Sequence, residues 1–438
     1  MKWTRLNSIR ISCLVVAVIL LSCSDDGAVS PPVVAPGPAL FLTGNDHGML
    51  RPCGCSKPVL GGISRRATLL NKESARGAVI AFGSAIATGG RQQELKIETF
   101  LQAWESNGVQ CYVVGDEDMH VGGSYWKNSA AQMTAIPLVN LNLMLNGKRL
   151  FSDHATVKLG TETVVVTGIV DPSSPHLTDP ALNAVSKPDV SGVLVALGKD
   201  EDRRCLVLFG TGEEAALLKF ATESGLRQAA LQLFLVRPGI SDIPTSSMID
   251  GDVVSLELGK KGRDVLELPW PNTGKLIRHT LDASVASDPD SEELLSFYRE
   301  SVAFEDLLST APLIGEAKGK YAGNAACAMC HKEAAEKWSH SRHAHAFATL
   351  EKTGDTLDPE CIGCHVVGFG LRGGYEKSRS DLRNVNCEAC HGPGADHVAN
   401  RTPTPGGKLG EAACVRCHDL DNSPYFDFKT YWAKIAHR

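Results

Sequence analysis

The sequence predicts an α/β layered sandwich followed by a mainly helical segment built on a different principle. Three observations carry this. From Ala39 to about Val302, short apolar runs alternate with helical patterns. From about Gly315, Val, Ile and Leu thin out while Cys, His and Gly concentrate. The motif Cys-x-x-Cys-His then recurs four times between residues 327 and 418.

The elements follow in chain order. Residues 1–22 read as a targeting segment: Lys2, Arg5 and Arg10 form a basic region, and residues 11–21 are an apolar run too short to span a bilayer. The run ends in Leu20-Leu21-Ser22-Cys23, which resembles the lipobox of bacterial lipoproteins and implies lipidation at Cys23. An ordinary secretory signal and a short uncleaved anchor are the alternatives. Residues 23–38 contain Pro31, Pro32, Pro36 and Pro38, a semi-stiff extended tether that would hold a folded domain off a membrane. Either form of the leader exports the chain, to a bacterial cell envelope as a periplasm-facing or outer-membrane lipoprotein.

Residues 39–302 carry the layered pattern. β-like runs fall at 39–42, 78–82, 110–114, 136–141, 163–170, 205–209 and 231–236, with helical patterns at 63–74, 94–107 and 213–223. Such alternation suits helices packed on sheets. A linker, 303–314, leads into the last segment, 315–438. The whole chain is 43% hydrophobic and 21% charged, which excludes a membrane bundle. Its net charge of −6 argues against nucleic acid as a partner.

The four motifs are Cys327-Ala-Met-Cys330-His331, Cys361-Ile-Gly-Cys364-His365, Cys387-Glu-Ala-Cys390-His391 and Cys414-Val-Arg-Cys417-His418. Two thiols at this spacing add across the vinyl groups of one porphyrin, and the following His is placed under the iron. Zinc also binds paired cysteines, but does not require a His after every second one. Four covalently bound haems c are therefore expected, with His331, His365, His391 and His418 as proximal ligands. They also explain the composition, because porphyrins supply the apolar bulk that the segment's side chains lack. Five further histidines lie nearby: His340, His343, His345, His397 and His437. A haem with His on both faces suits electron transfer, while an open face binds a small ligand.

The text around these motifs resembles the tetrahaem cytochromes c typified by the electron acceptor of hydroxylamine oxidoreductase. The likeness rests on Tyr321-Ala-Gly before the first motif and on the run from Trp338 through His343 and His345 to Leu350. It continues in Cys364-His365-Val-Val-Gly-Phe-Gly370, in Cys387 to His397, and in the terminal Tyr431-Trp-Ala-Lys-Ile-Ala-His437. The resemblance implies that His343, His345, His397 and His437 are distal ligands, without saying which serves which haem. It leaves His340 a bystander. Met329 is too close to its own attachment loop to be a ligand. Redox proteins are the implied partners.

Gly44-Asn45-Asp46-His47-Gly48, with Gly62 to Ala67 and residues 259–268, resembles the calcineurin-like phosphoesterases of the 5′-nucleotidase type. These hold two metal ions with Asp, His and Asn at strand ends. Their pattern begins Asp-x-His, whereas Asp46 and His47 are adjacent. Gly83-Ser84 stands for an expected Gly-Asp, and Gly115-Asp116-Glu117-Asp118 for Gly-Asn-His-Glu. The late Gly-His-x-His is missing, with His154, His176 and His279 isolated in sequence. The domain is thus expected to be non-catalytic. Cys53-Gly54-Cys55 reads equally as a redox-active pair or soft-metal site, or as two loop cysteines with a structural bond or none. Cys111 and Cys205 read as buried thiols.

The leading reading is an exported tetrahaem electron-transfer lipoprotein with a non-catalytic phosphoesterase-like domain. Its rivals are a multihaem oxidoreductase acting on a small nitrogen or sulfur compound, and an active metallophosphoesterase fused to a cytochrome.

Overall fold

A computed structural model describes residues 37–52, 58–199, 205–271, 275–403, 406–419 and 422–437. The leader, the tether, Cys23, Cys53 and Cys55 lie outside the described residues. Among the described residues no helix is long and apolar enough to cross a membrane.

Twelve strands build two sheets: β1 (Ala39–Gly44), β2 (Gly77–Phe82), β3 (Val109–Val113), β4 (Leu138–Val139), β5 (Ala155–Leu159), β6 (Glu162–Ile169), β7 (Cys205–Gly210), β8 (Gln232–Pro238), β9 (Thr245–Ile249), β10 (Val253–Leu258), β11 (Asp264–Pro269) and β12 (Ile277–Thr280). The first sheet runs β12-β11-β1-β2-β3-β4 and the second β9-β10-β8-β7-β6-β5. In the first, β1 to β4 are parallel, while β11 and β12 are antiparallel additions. In the second, β6, β7, β8 and β10 are parallel and both edges are antiparallel.

The longer helices of this part are α1 (Ile63–Glu73), α2 (Arg91–Ser106), α3 (Ser191–Gly198), α4 (Glu214–Glu223) and α5 (Pro289–Phe304). Helix α5 starts cleanly because Asp288 accepts the amide of Ser291 and Pro289 occupies the first turn.

Side-chain alternation on β1 sorts the layers. Ala39 and Phe41 face a core shared with Ile63 and Leu70 of α1, Phe100 and Trp104 of α2, and Leu295 of α5. Leu40 and Leu42 face the second sheet, in a core with Val164, Val207 and Phe234. The rings of Phe82 and Phe209 stack across that gap at 5.4 Å. The far face of the second sheet packs Leu206 and Leu208 on Val193, Leu197, Leu217 and Ala221. The order of layers is helix, sheet, sheet, helix, which is the α/β sandwich expected. β1 is buried along its whole length, and a strand covered on both faces reads as the continuous apolar run seen here. Each large apolar side chain so buried contributes about 1.5–3 kcal/mol.

β5 and the strands after residue 244 are not among the runs expected from the sequence. β5 and β9 are edges with polar outward residues, Thr-Ser-Ser in β9, and edges carry a weak apolar signal.

Beyond α5 the chain enters its last segment. A small core there joins Leu308, Phe347, Leu350, Ile362, Val366, Val367 and Leu382. Short helices carry the attachment motifs and their flanks: one turn each at Asn324–Ala328 and Glu411–Cys414, which hold Cys327 and Cys414, and α6 (Lys332–Ser339), α7 (Ala346–Thr353), α8 (Pro359–Ile362), α9 (Cys387–His391), α10 (Ala395–Asn400) and α11 (Phe428–Ile435).

Candidate haem centres and the loop edge of the α/β domain

The second and third attachment motifs sit at short helices with side-chain caps. Asp358 accepts the Glu360 amide at 2.9 Å and starts α8; Asn386 accepts the Glu388 amide at 3.0 Å and starts α9. Glu388, inside the third motif, is buried. Its carboxylate takes the amides of Ala322, Gly323 and Gly394, each at 2.8 Å. One side chain therefore ties the approach to the first motif to the third.

Three imidazole pairs stand out. His331 faces His397 with ring centres 6.1 Å apart, His418 faces His343 at 6.2 Å, and His391 faces His437 at 5.9 Å. Each unites the His of one motif with a His from elsewhere. A metal held by an imidazole nitrogen at about 2 Å on either side sets ring centres about 6 Å apart, so the spacing fits an iron between each pair.

The outer ring nitrogens are also arranged for ligation. Nδ1 of His397 meets the Thr402 carbonyl at 2.7 Å, and Nδ1 of His437 meets the Ile435 carbonyl at 3.0 Å. A carbonyl only accepts, so Nδ1 carries the proton and Nε2 keeps its lone pair. Burial, joined by the neighbouring His418, pushes His343 below the ordinary imidazole value, and burial does the same to His418. Both rings are thereby held in the neutral form that a metal needs.

His365 differs. Its Nδ1 meets the Ala346 carbonyl at 2.5 Å and Thr349 Oγ1 at 3.3 Å, and among the described residues no second imidazole pairs with it. His345 and His340 likewise stand in no imidazole pair among the described residues. His340 bonds the Glu336 carbonyl at its own helix.

Cysteines of different motifs meet. Cys327 and Cys387 are in hydrogen-bonding reach, as are Cys364 and Cys417, and Cys390 feels Cys414. The attachment sites thus neighbour one another in the order one, three, four, two.

The loop after β1 holds the phosphoesterase-like residues. Gly44, with φ 142°, lies so close to β2 that a Cβ would meet the Phe82 carbonyl oxygen at 2.2 Å. Only glycine fits, and the chain turns there into Asn45 and His47, both at positive φ. Asp46 then points inward to Arg66, and both side chains are fully buried. Asn45, two residues before His47, bonds the carbonyls of Gly239 and Gly259 at 2.9 and 3.2 Å. Its Oδ1 faces Nε2 of His47 at 2.8 Å.

Asp118 is also buried, bonded to the hydroxyl of Tyr112 and to the amides of Gly115 and Ala85. Burial outweighs these three donors and lifts it to about 7.

Sequence spacing hid one cluster here. His176 Nδ1 lies 3.1 Å from His120 Nε2, and His176 and His47 both approach Glu117, at 4.0 and 3.6 Å. Glu117 and His120 share one 3-10 turn, while His47 and His176 come from two other loops that no local spacing marks as their neighbours. His154 instead pairs with Asp153, and His279 with Glu267. Among the described residues no group of three or more His, Cys, Asp or Glu is arranged to hold a metal ion. Cys111 and Cys205 are buried, as expected.

Residues 326–392 match the sequence model of the family described as cytochrome c554 and c-prime. Cytochrome c-554 of Nitrosomonas europaea is 39% identical over a 95-residue alignment that covers 18% of this chain and 40% of that protein. The chain thus spans less than half the length of that relative. Among solved structures, a 5′-nucleotidase precursor from Thermus thermophilus is similar at TM-score 0.44 and 18% identity, covering 66% of this chain and 62% of that one. The sulfate thiohydrolase SoxB of Thermus thermophilus is similar at 0.45 and 14%, covering 66% and 64%. The NAD nucleotidase of Haemophilus influenzae is similar at 0.46 and 10%, covering 65% and 64%. Residues 326–392 thus resemble the cytochrome c554 family, a likeness that supports c-type haem as the cofactor class, and they are joined to an α/β domain.

Proposed function

We propose that this chain is an exported electron-transfer lipoprotein that holds four covalent haems c and passes electrons between redox partner proteins. The observation that carries the reading is the set of three imidazole pairs, each joining a motif histidine to one from outside the motifs. Cys327 and Cys330, Cys361 and Cys364, Cys387 and Cys390, and Cys414 and Cys417 hold one haem each. His331 with His397, His391 with His437, and His418 with His343 hold three irons on both faces. His365 holds the fourth on one. Bound this way, the haems supply one-electron redox chemistry. The chain's own part is to keep six imidazoles oriented and spaced, so that little moves when charge does. The neighbouring cysteines favour a single path through motifs one, three, four and two.

The test combines mass and spectrum. The purified protein is expected to carry four haem additions that survive acid-acetone extraction, with a mostly low-spin oxidised spectrum. Several high-spin haems, or fewer than four additions, would overturn the reading.

One observation favours a second reading. His365 has no imidazole partner among the described residues, so its haem is the place where a small nitrogen or sulfur compound would react. Binding of nitric oxide or carbon monoxide by one haem of four, with turnover of such a compound, would favour an oxidoreductase.

Membrane attachment is assigned to Cys23, and Cys23→Ala is expected to release the protein from the membrane fraction. The α/β domain is assigned no hydrolytic role. Its support is Asp46, whose carboxylate is committed to Arg66 and not to the loop edge. Supplied with manganese or zinc, the protein is expected to leave nucleotides and phosphodiesters uncleaved.

A further inference from the structure

The edge of the α/β domain that carries the β1 loop does not end in solvent. Lys96, on α2, is buried, and its side chain is only 6% exposed. Its ammonium packs on the β1 loop, since a Cβ on Gly48 would stand 3.0 Å from Nζ. The same ammonium pairs with Glu360, the residue before Cys361. Gln92, one turn earlier on α2, donates to Asp358 at 2.7 Å, and Asp358 is the cap of α8. Arg51, from the end of the β1 loop, pairs with Asp355. Gln93, beside Gln92, donates to Glu360 as well, so four side chains of the α/β domain grip three carboxylates within six residues of the second attachment segment. Cys361 lies within electrostatic reach of Arg51, Asp355, Asp358 and Glu360.

We infer that the loop edge of the α/β domain is a built-in seat for the second haem-binding segment, with Lys96 as the positioning residue that holds Glu360 and sets the charge beside that haem. The inference rests on the four-haem reading and adds what the α/β domain does in it. The second attachment site also ends the chain of neighbouring motifs, so the seat acts on the terminal haem of the path. Reduction adds one negative charge to a haem, so a nearby buried cation favours the reduced form and an unpaired carboxylate opposes it. Lys96 balances Glu360; loss of either partner leaves the other uncompensated in a partly buried place.

The experiment is a spectroelectrochemical titration of the full haem-loaded chain. Lys96→Met is expected to lower one of the four reduction potentials, and Glu360→Gln to raise the same one. The double variant should return it towards the starting value, Lys96→Arg should leave it nearly unmoved, and the other three should stay in place. A purely mechanical contact would move both single variants in one direction. That result, or four potentials moving together, or none moving, overturns the inference. Glu360 is half exposed, so its variant tests the idea even where Lys96→Met folds poorly. The underlying reading is checked first by mass: absence of haem from Cys361 and Cys364 overturns both.

Discussion

The α/β domain and the C-terminal segment solve the same problem with different materials. The first buries three apolar cores between its layers. The second has one small core, around Leu350 and Ile362. Of its helices, α6, α10 and α11 bury no side chain at all. Short helices without a buried face are not stable in water by propensity alone. On the function proposed above, their order comes from thioethers, iron–imidazole bonds and the porphyrin surface. The α/β domain then folds by its own composition, and the C-terminal segment folds with its cofactor.

The sharpest way to break this contrast is to withhold haem. Chain produced without haem attachment is expected to lose amide protection across residues 320–437 while β1, β2 and β7 stay protected. Hydrogen exchange reads this directly. Retained protection of α6 and α11 in haem-free chain would refute the contrast. The next effect lies in the other half. Arg66→Ala leaves Asp46 as a buried, unpaired carboxylate, at a cost of about 3–5 kcal/mol. Denaturant unfolding followed by far-ultraviolet dichroism should show it, with the haem spectrum unchanged.

A smaller effect comes from Asp118. Between its unfolded value of 3.8 and about 7, the folded chain holds a proton that the unfolded chain has lost. Its contribution to stability is therefore full below about pH 4 and declines as the pH rises to about 7. That slope should be absent from the denaturant midpoint of Asp118→Asn. The smallest effect belongs to the surface. Arg91 joins Glu305 at 2.8 Å, with both side chains well exposed, so Arg91→Ala is expected to cost less than about 1 kcal/mol.

What the sequence made legible divides along the same line. The haem motifs are local, five residues each, and their chemistry is written in their spacing. The buried strands β1, β2 and β7 announce themselves as unbroken apolar runs. The distal assignments were not legible, because His397 meets His331 and His437 meets His391 only through the packing of separate short helices. His345, expected as a ligand, stands in none of the three pairs, although nothing in its local sequence separates it from His343. In the α/β domain, the altered Asp-x-His pattern flagged a changed site. Only the fold shows why: Asp46 turns inward to Arg66. The seat made by Arg51, Gln92, Gln93 and Lys96 left no sequence trace, since ion pairs between segments more than 250 residues apart follow no local pattern.

Asn45 has a consequence for how this domain can change. In the phosphoesterase pattern an acid stands two residues before the histidine, and here that place is held by an amide. Its nitrogen serves three carbonyls, those of Gly239, Leu258 and Gly259. Placing an acid there as Asn45→Asp would remove that donor and set a carboxylate against three carbonyl oxygens. The amide at position 45 is therefore a joint between the β1 loop and the ends of β8 and β10, and an acid in its place would loosen the packing of one sheet on the other.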